Sequence, residues 1–79
     1  MNNQISKTIK TLRKEMNLTQ KELANETGIS LSAIIAYENS KREPNSKSMA
    51  ILESFFNVSG AYLRGETESR ERMVWDDYE

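Results

Sequence analysis

Apolar residues recur along the opening segment of the chain at steps of four and three: Ile5, Ile9, Leu12 and Met16. That spacing draws one stripe down an amphipathic α-helix over about residues 4–16, with Lys7, Lys10 and Lys14 on its outer face. A similar stripe returns later as Met49, Leu52 and Phe56, on a helix whose start Asn45 or Ser46 can cap. Asn57-Val58-Ser59 reads as a short turn, and Ser59 opens a brief last helix that carries Tyr62 and Leu63 and stops near Gly65. The polar run Ser40-Lys41-Arg42-Glu43-Pro44-Asn45-Ser46 holds the only proline and reads as a loop. No strand alternation, internal repeat or low-complexity tract appears. The pattern predicts an all-α chain.

The middle of the chain, Leu18 to Asn39, holds two more short helices, each with its own start signal. Thr19 stands three residues before Glu22, the spacing of a capping box in which hydroxyl and carboxylate each satisfy a free backbone N–H. Leu23 and Ala24 form the inward face of this helix, with Lys21, Asn25 and Glu26 turned to water. Gly28 sits where the chain must leave the helix with positive φ, which costs glycine almost nothing. Ile29 is then the buried residue of the turn and Ser30 the N-cap of the next helix. In that helix Ile34 and Tyr37 share a face toward the core, and Leu31, Ser32, Ile35 and Ala36 occupy the complementary face. Two capped helices joined by a glycine turn are the geometry with which small proteins place a helix in the DNA major groove.

Composition narrows the alternatives. Seventy-nine residues allow one domain with a marginal core. Cysteine and histidine are both absent, which removes disulfides, thiolate metal sites, the commonest general base and the commonest metal ligand. With no glycine-rich phosphate loop either, no catalytic set is expected, and neither a metal nor another cofactor. No apolar run approaches the ~20 residues of a membrane span, and Met1-Asn2-Asn3-Gln4 lacks the layout of a signal peptide, so no membrane association and a cytoplasmic location are expected.

The net charge of −1 hides an asymmetry. Residues 1–47 carry eight cations and five anions, net +3, whereas residues 48–79 carry three cations and seven anions, net −4. A basic helix-turn-helix half and an acidic remainder suit a molecule that meets phosphate with one face only, although ordinary solvated charge produces such asymmetries too.

The chain resembles the lambda-repressor/Cro-like helix-turn-helix family, also called the XRE family, from about Ile5 to Thr67. The resemblance rests on Leu12-Arg13, Leu18-Thr19-Gln20, Glu22-Leu23-Ala24, Gly28-Ile29-Ser30, Ile34, Tyr37-Glu38-Asn39, Lys41-Arg42, Pro44, Phe56-Asn57-Val58-Ser59 and Tyr62-Leu63. It implies a compact five-helix domain over residues 1–67 and sequence-specific binding of double-stranded DNA as a homodimer. It also implies transcriptional regulation, most often repression of prophage or bacterial genes. By the same resemblance Gln20, Asn39, Lys41 and Arg42 contact DNA phosphates, and Arg13 and Glu38 form a partly buried ion pair tying the first helix to the end of the third. Glu53 and Ser40 depart from the pattern: the family usually has a small apolar residue at the first position and frequently glycine at the second.

Ser30, Leu31, Ser32, Ile35 and Ala36 are the candidate base contacts, and they are an unusual set. Base edges are read mostly by Arg, Lys, Asn and Gln, yet only serine here can hydrogen-bond a base. Either Leu31, Ile35 and Ala36 pack on thymine methyl groups while the serines add polar contacts and DNA shape supplies the rest, or the apolar face meets a protein partner. The second option would make the chain an interaction module such as an antitoxin. Residues 68–79 form an acidic tail with apolar Met73, Val74, Trp75 and Tyr78. It reads as a solvated tail, as a linker in a longer repressor, or as a segment that docks on the Ile51/Phe55 flank or on a second protomer.

Overall fold

In the computed structural model of the chain, residues 4–71 are described, and they form five α-helices with no strand among them. The helices are α1 (Gln4–Glu15), α2 (Gln20–Thr27), α3 (Leu31–Glu38), α4 (Ser46–Phe56) and α5 (Gly60–Leu63). Every start after α1 is fixed by the side-chain oxygen of its N-cap. Thr19, Ser30, Asn45 and Ser59 accept the backbone N–H of Glu22, Ala33, Ser48 and Tyr62, each at 2.9–3.1 Å. At α2 the box closes, with the Thr19 N–H donating to Glu22 Oε1 at 2.8 Å.

The helix ends share one device. A residue in the left-handed conformation follows each of α1 to α4, namely Asn17, Gly28, Ser40 and Asn57. After α1, α3 and α4 the next residue then donates its N–H five residues back: Leu18 to Arg13, Lys41 to Ala36 and Val58 to Glu53. This is the Schellman arrangement, which satisfies carbonyls that the helix end would leave bare. Asn17 and Asn57 suit it because asparagine tolerates the left-handed region. Ser40 does not, and there its Oγ lies 2.6 Å from Ser6 Oγ of α1, a contact that glycine could not make.

This stop corrects the expected inward stripe of α1. Ile5, Ile9 and Leu12 are buried, but Met16 is 46% exposed. The helix ends at Glu15 and the Asn17 turn carries Met16 outward, so Leu18 packs on the core in its place. The core itself joins Ile9, Leu23, Ile34, Leu52, Val58 and Leu63, all below 2% exposed, from every part of the domain. α3 packs against both α1 and α2, and α4 and α5 close the other side.

Beyond α5 the chain returns to the domain. The Ser59 N–H donates to the Arg70 carbonyl at 3.1 Å. The Arg70 guanidinium forks onto both Glu15 carboxylate oxygens at 2.9 Å, donates to the Tyr62 hydroxyl and lies over its ring. Met73, Val74, Trp75 and Tyr78, discussed above, lie outside the described residues.

Candidate nucleic-acid interface

The turn between α2 and α3 sets the angle at which α3 leaves the domain. Gly28, with φ of 75°, donates its N–H to the Ala24 carbonyl and ends α2. The Thr27 hydroxyl, itself bonded to the Leu23 carbonyl, accepts the Ile29 N–H at 3.2 Å, which leaves Ile29 buried against the core. Ser30 then caps α3. Local hydrogen bonds and the packing of Ile29 together orient the helix.

Burial sorts the sides of α3. Ala33, Ile34, Tyr37 and Glu38 are buried, whereas Leu31, Ser32 and Ile35 are exposed and Ala36 is half-buried. Four of the five candidate base contacts, Ser30, Leu31, Ser32 and Ile35, therefore lie on accessible surface, and Ala36 at its margin. Ser30 has already accepted the Ala33 N–H through its hydroxyl oxygen, and the hydroxyl proton is still able to donate.

The C-terminal end of α3 is anchored by charge. The Arg13 guanidinium grips Glu38 with Nε on Oε2 at 2.6 Å and Nη2 on Oε1 at 2.9 Å, and its Nη1 donates to the Leu18 carbonyl. The Glu38 side chain is wholly buried and that of Arg13 nearly so. The hydrogen bonds that Arg13 donates to Glu38 push its pKa up, against the opposing effect of burial. Gln20, at the start of α2, completes the group by donating Nε2 to Glu38 Oε1 at 3.1 Å. A carboxamide nitrogen carries two hydrogens, so this bond leaves Gln20 a second donor for a phosphate. One buried carboxylate thus holds α1, α2 and α3 in register.

Asn39, Lys41 and Arg42 follow at once. The Lys41 and Arg42 N–H groups both turn back to the Ala36 carbonyl, which keeps their exposed side chains beside the end of α3. Arg42 lies over the Tyr37 ring at 5.8 Å from its centroid, a cation–π contact that holds its stem. Lys41 and Arg42 also line a groove of about 390 Å³ with Ile5, Ser6, Tyr37, Ser40 and Glu43. At the opposite end of α3, Lys21 and Asn25 line a shallow depression with Ser30 and Leu31. The sequence pattern marked Lys21 and Asn25 only as water-facing. Their approach to Ser30 depends on the angle between α2 and α3.

Cations therefore flank both ends of α3. Its eight residues span about 12 Å, close to the ~12 Å width of the major groove, whose walls are phosphate backbones.

A family model described as helix-turn-helix matches residues 9–63. The chain belongs to this helix-turn-helix family. Several curated relatives are named as helix-turn-helix-type transcriptional regulators. The chain is 36% identical over 72 residues to the HTH-type transcriptional regulator YqaE of Bacillus subtilis, covering 91% of this chain and 61% of that protein. It is 37% identical over 75 residues to the antitoxin PezA of Streptococcus pneumoniae, covering 95% of this chain and 46% of that protein. With the cryptic phage CTXphi transcriptional repressor RstR of Vibrio cholerae the identity is 33% over 64 residues, covering 81% and 58%. The chain thus spans about half to three-fifths of the length of these relatives. No solved structure matches at the same stringency. Among the described residues no helix is long and apolar enough to cross a membrane.

Proposed function

We propose that the chain is a sequence-specific, duplex-DNA-binding transcriptional regulator that lays α3 in the major groove. The observation that carries this reading is the exposed outer side of α3, bracketed by Lys21 at its N-terminal end and by Gln20, Asn39, Lys41 and Arg42 at its C-terminal end. Phosphates would take the bracketing residues, and base edges would meet Ser30, Leu31, Ser32, Ile35 and Ala36. Relatives named as regulators and as a phage repressor support repression of prophage or bacterial genes as the role. One α3 covers only a few base pairs, so two protomers would act together on half-sites about one helical turn, ~34 Å, apart. The α4–α5 region and Met73, Val74 and Trp75 are the surfaces proposed for that pairing.

The test is binding to random-sequence duplex across a salt series. Log affinity should fall linearly with log salt, with a slope set by the number of phosphates engaged. Replacing Lys41 and Arg42 by Ala should flatten the slope by about one unit per lost contact and weaken all sequences alike. An unchanged slope in the double variant removes these two residues from the phosphate contacts. A second reading, an antitoxin-like protein-binding module, draws on the likeness to PezA and on the exposed Leu31 and Ile35. Such a module, without a DNA role, would bind no duplex at any salt concentration.

A further inference from the structure

The exposed side of α3 holds no group that can make a paired hydrogen bond to a base. Leu31, Ile35 and Ala36 are aliphatic, and Ser32 has the only hydroxyl on that side within the helix. Arg, Lys, Asn and Gln, which recognise guanine and adenine by two hydrogen bonds at once, do not occur between Leu31 and Glu38. Leu31 and Ile35 are nonetheless left 39% and 37% exposed, and only Met16, outside this face, joins them among exposed large aliphatics of the described residues. In the major groove one base alone offers an aliphatic surface, thymine with its C5 methyl group.

Spacing and charge agree with that partner. Leu31 and Ile35 are four residues apart, so they lie on one face and about 6 Å apart along the axis. Two base steps cover ~6.8 Å along a strand. Ala36 keeps the flank of the helix low, which allows its backbone close to the bases. Exposed Lys21, Lys41 and Arg42 around this apolar strip fit a polyanion and not an apolar protein surface.

We infer that α3 reads thymine C5 methyl groups through Leu31 and Ile35, so that each half-site presents two thymines about two base steps apart. The inference rests on the DNA-binding reading above and adds the chemical feature that is recognised. It also makes Leu31 and Ile35 determinants of specificity rather than of affinity for DNA in general.

The experiment begins with selection of bound duplexes from a random pool. The enriched duplex is then synthesised with deoxyuridine in place of every thymidine, which deletes the methyl groups and keeps every hydrogen-bonding group. Burial of one methyl-sized group is worth about a fourfold change in affinity, so losing two contacts should weaken binding about 15-fold for each half-site engaged. In Leu31→Ala and Ile35→Ala the ratio of thymine-duplex to uracil-duplex affinity should fall toward one, with circular dichroism unchanged. Equal binding of the two duplexes by the wild-type chain overturns the inference, as does an undiminished ratio in both variants. If the pool yields no enriched duplex, the DNA-binding reading fails and the inference falls with it.

Discussion

Removal of the Glu38 carboxylate is the most informative perturbation of the fold. In Glu38→Ala the Arg13 guanidinium loses both its 2.6 and 2.9 Å bonds, and the Gln20 amide loses its 3.1 Å bond. With side-chain exposures of 11% for Arg13 and 0% for Glu38, neither water nor another anion readily replaces what is lost. Breaking a buried pair on one side costs about 3–5 kcal/mol, because the remaining charge stays buried without a partner. A 79-residue chain at ~0.05–0.15 kcal/mol per residue has only about 4–12 kcal/mol in total. Glu38→Ala is therefore expected to lower the melting temperature by at least about 12 °C, taking ~4–8 °C per kcal/mol for a domain of this size. The double variant Arg13→Met/Glu38→Leu removes both charges, and its stability should return to within about 2 kcal/mol of the wild type. Urea unfolding followed by circular dichroism measures the wild type, Glu38→Ala, Arg13→Met and the double variant, with an unchanged m-value showing that the same surface unfolds. A loss below about 1 kcal/mol in both Glu38→Ala and Arg13→Met, the size of an exposed pair, would refute the claim that this carboxylate ties three helices together.

Ile34→Lys should unfold the domain, since Ile34 has 0% exposure and an unpaired ammonium would be buried, whereas Ile35→Lys, at 37% exposure, should melt close to the wild type; equal damage would show that the faces of α3 are assigned wrongly. The Arg70 guanidinium holds the Glu15 carboxyl below its ordinary pKa of 4.5. A lowered folded-state pKa stabilises above the unfolded value and is lost as pH falls through the folded one, so the advantage of the wild type over Glu15→Gln should be present at neutral pH and fade in acid below 4.5. A difference independent of pH would place the effect of Glu15 outside its ion pair. Truncation after Glu71 retains Arg70 and removes Met73, Val74 and Trp75; melting should be unaffected while sedimentation shows weaker self-association, and unchanged association would confine the protomer contact to α4 and α5.

Legibility followed the range of the interactions. Thr19, Ser30, Asn45 and Ser59 act within three residues of themselves, so the chain alone points to their capping roles, with only the choice between Asn45 and Ser46 left for the structure to make. Gly28 is equally local. The inward residues of α1 were readable as far as the helix ran, but periodicity has no means of registering where a helix stops. Met16 keeps the right spacing although the helix has already ended at Glu15. Buried polar groups escaped for a different reason. Ser6 is covered because Ser40 arrives against it from 34 positions away, and hydroxyl residues on a helix otherwise read as solvent-facing. Arg70 reaches Glu15 across 55 positions, a separation at which no sequence pattern operates. The Arg13–Glu38 pair spans 25 positions and was expected only through the family resemblance. In the candidate interface, α3 and its outer residues were readable from the caps and the stripe. The approach of Lys21 and Asn25 to Ser30 was not, because it depends on how two helices meet.

The central claim, that α3 and its flanking cations form the DNA-binding face, is tested most directly by nuclear magnetic resonance. The labelled chain would be titrated with a short random-sequence duplex, following every backbone amide. The largest shift changes should gather on Gln20, Lys21, residues 30–36 and residues 39–42, and should shrink together as salt is raised. Changes concentrated on α4 and α5 with α3 unmoved, or no changes at low salt, would contradict the claim.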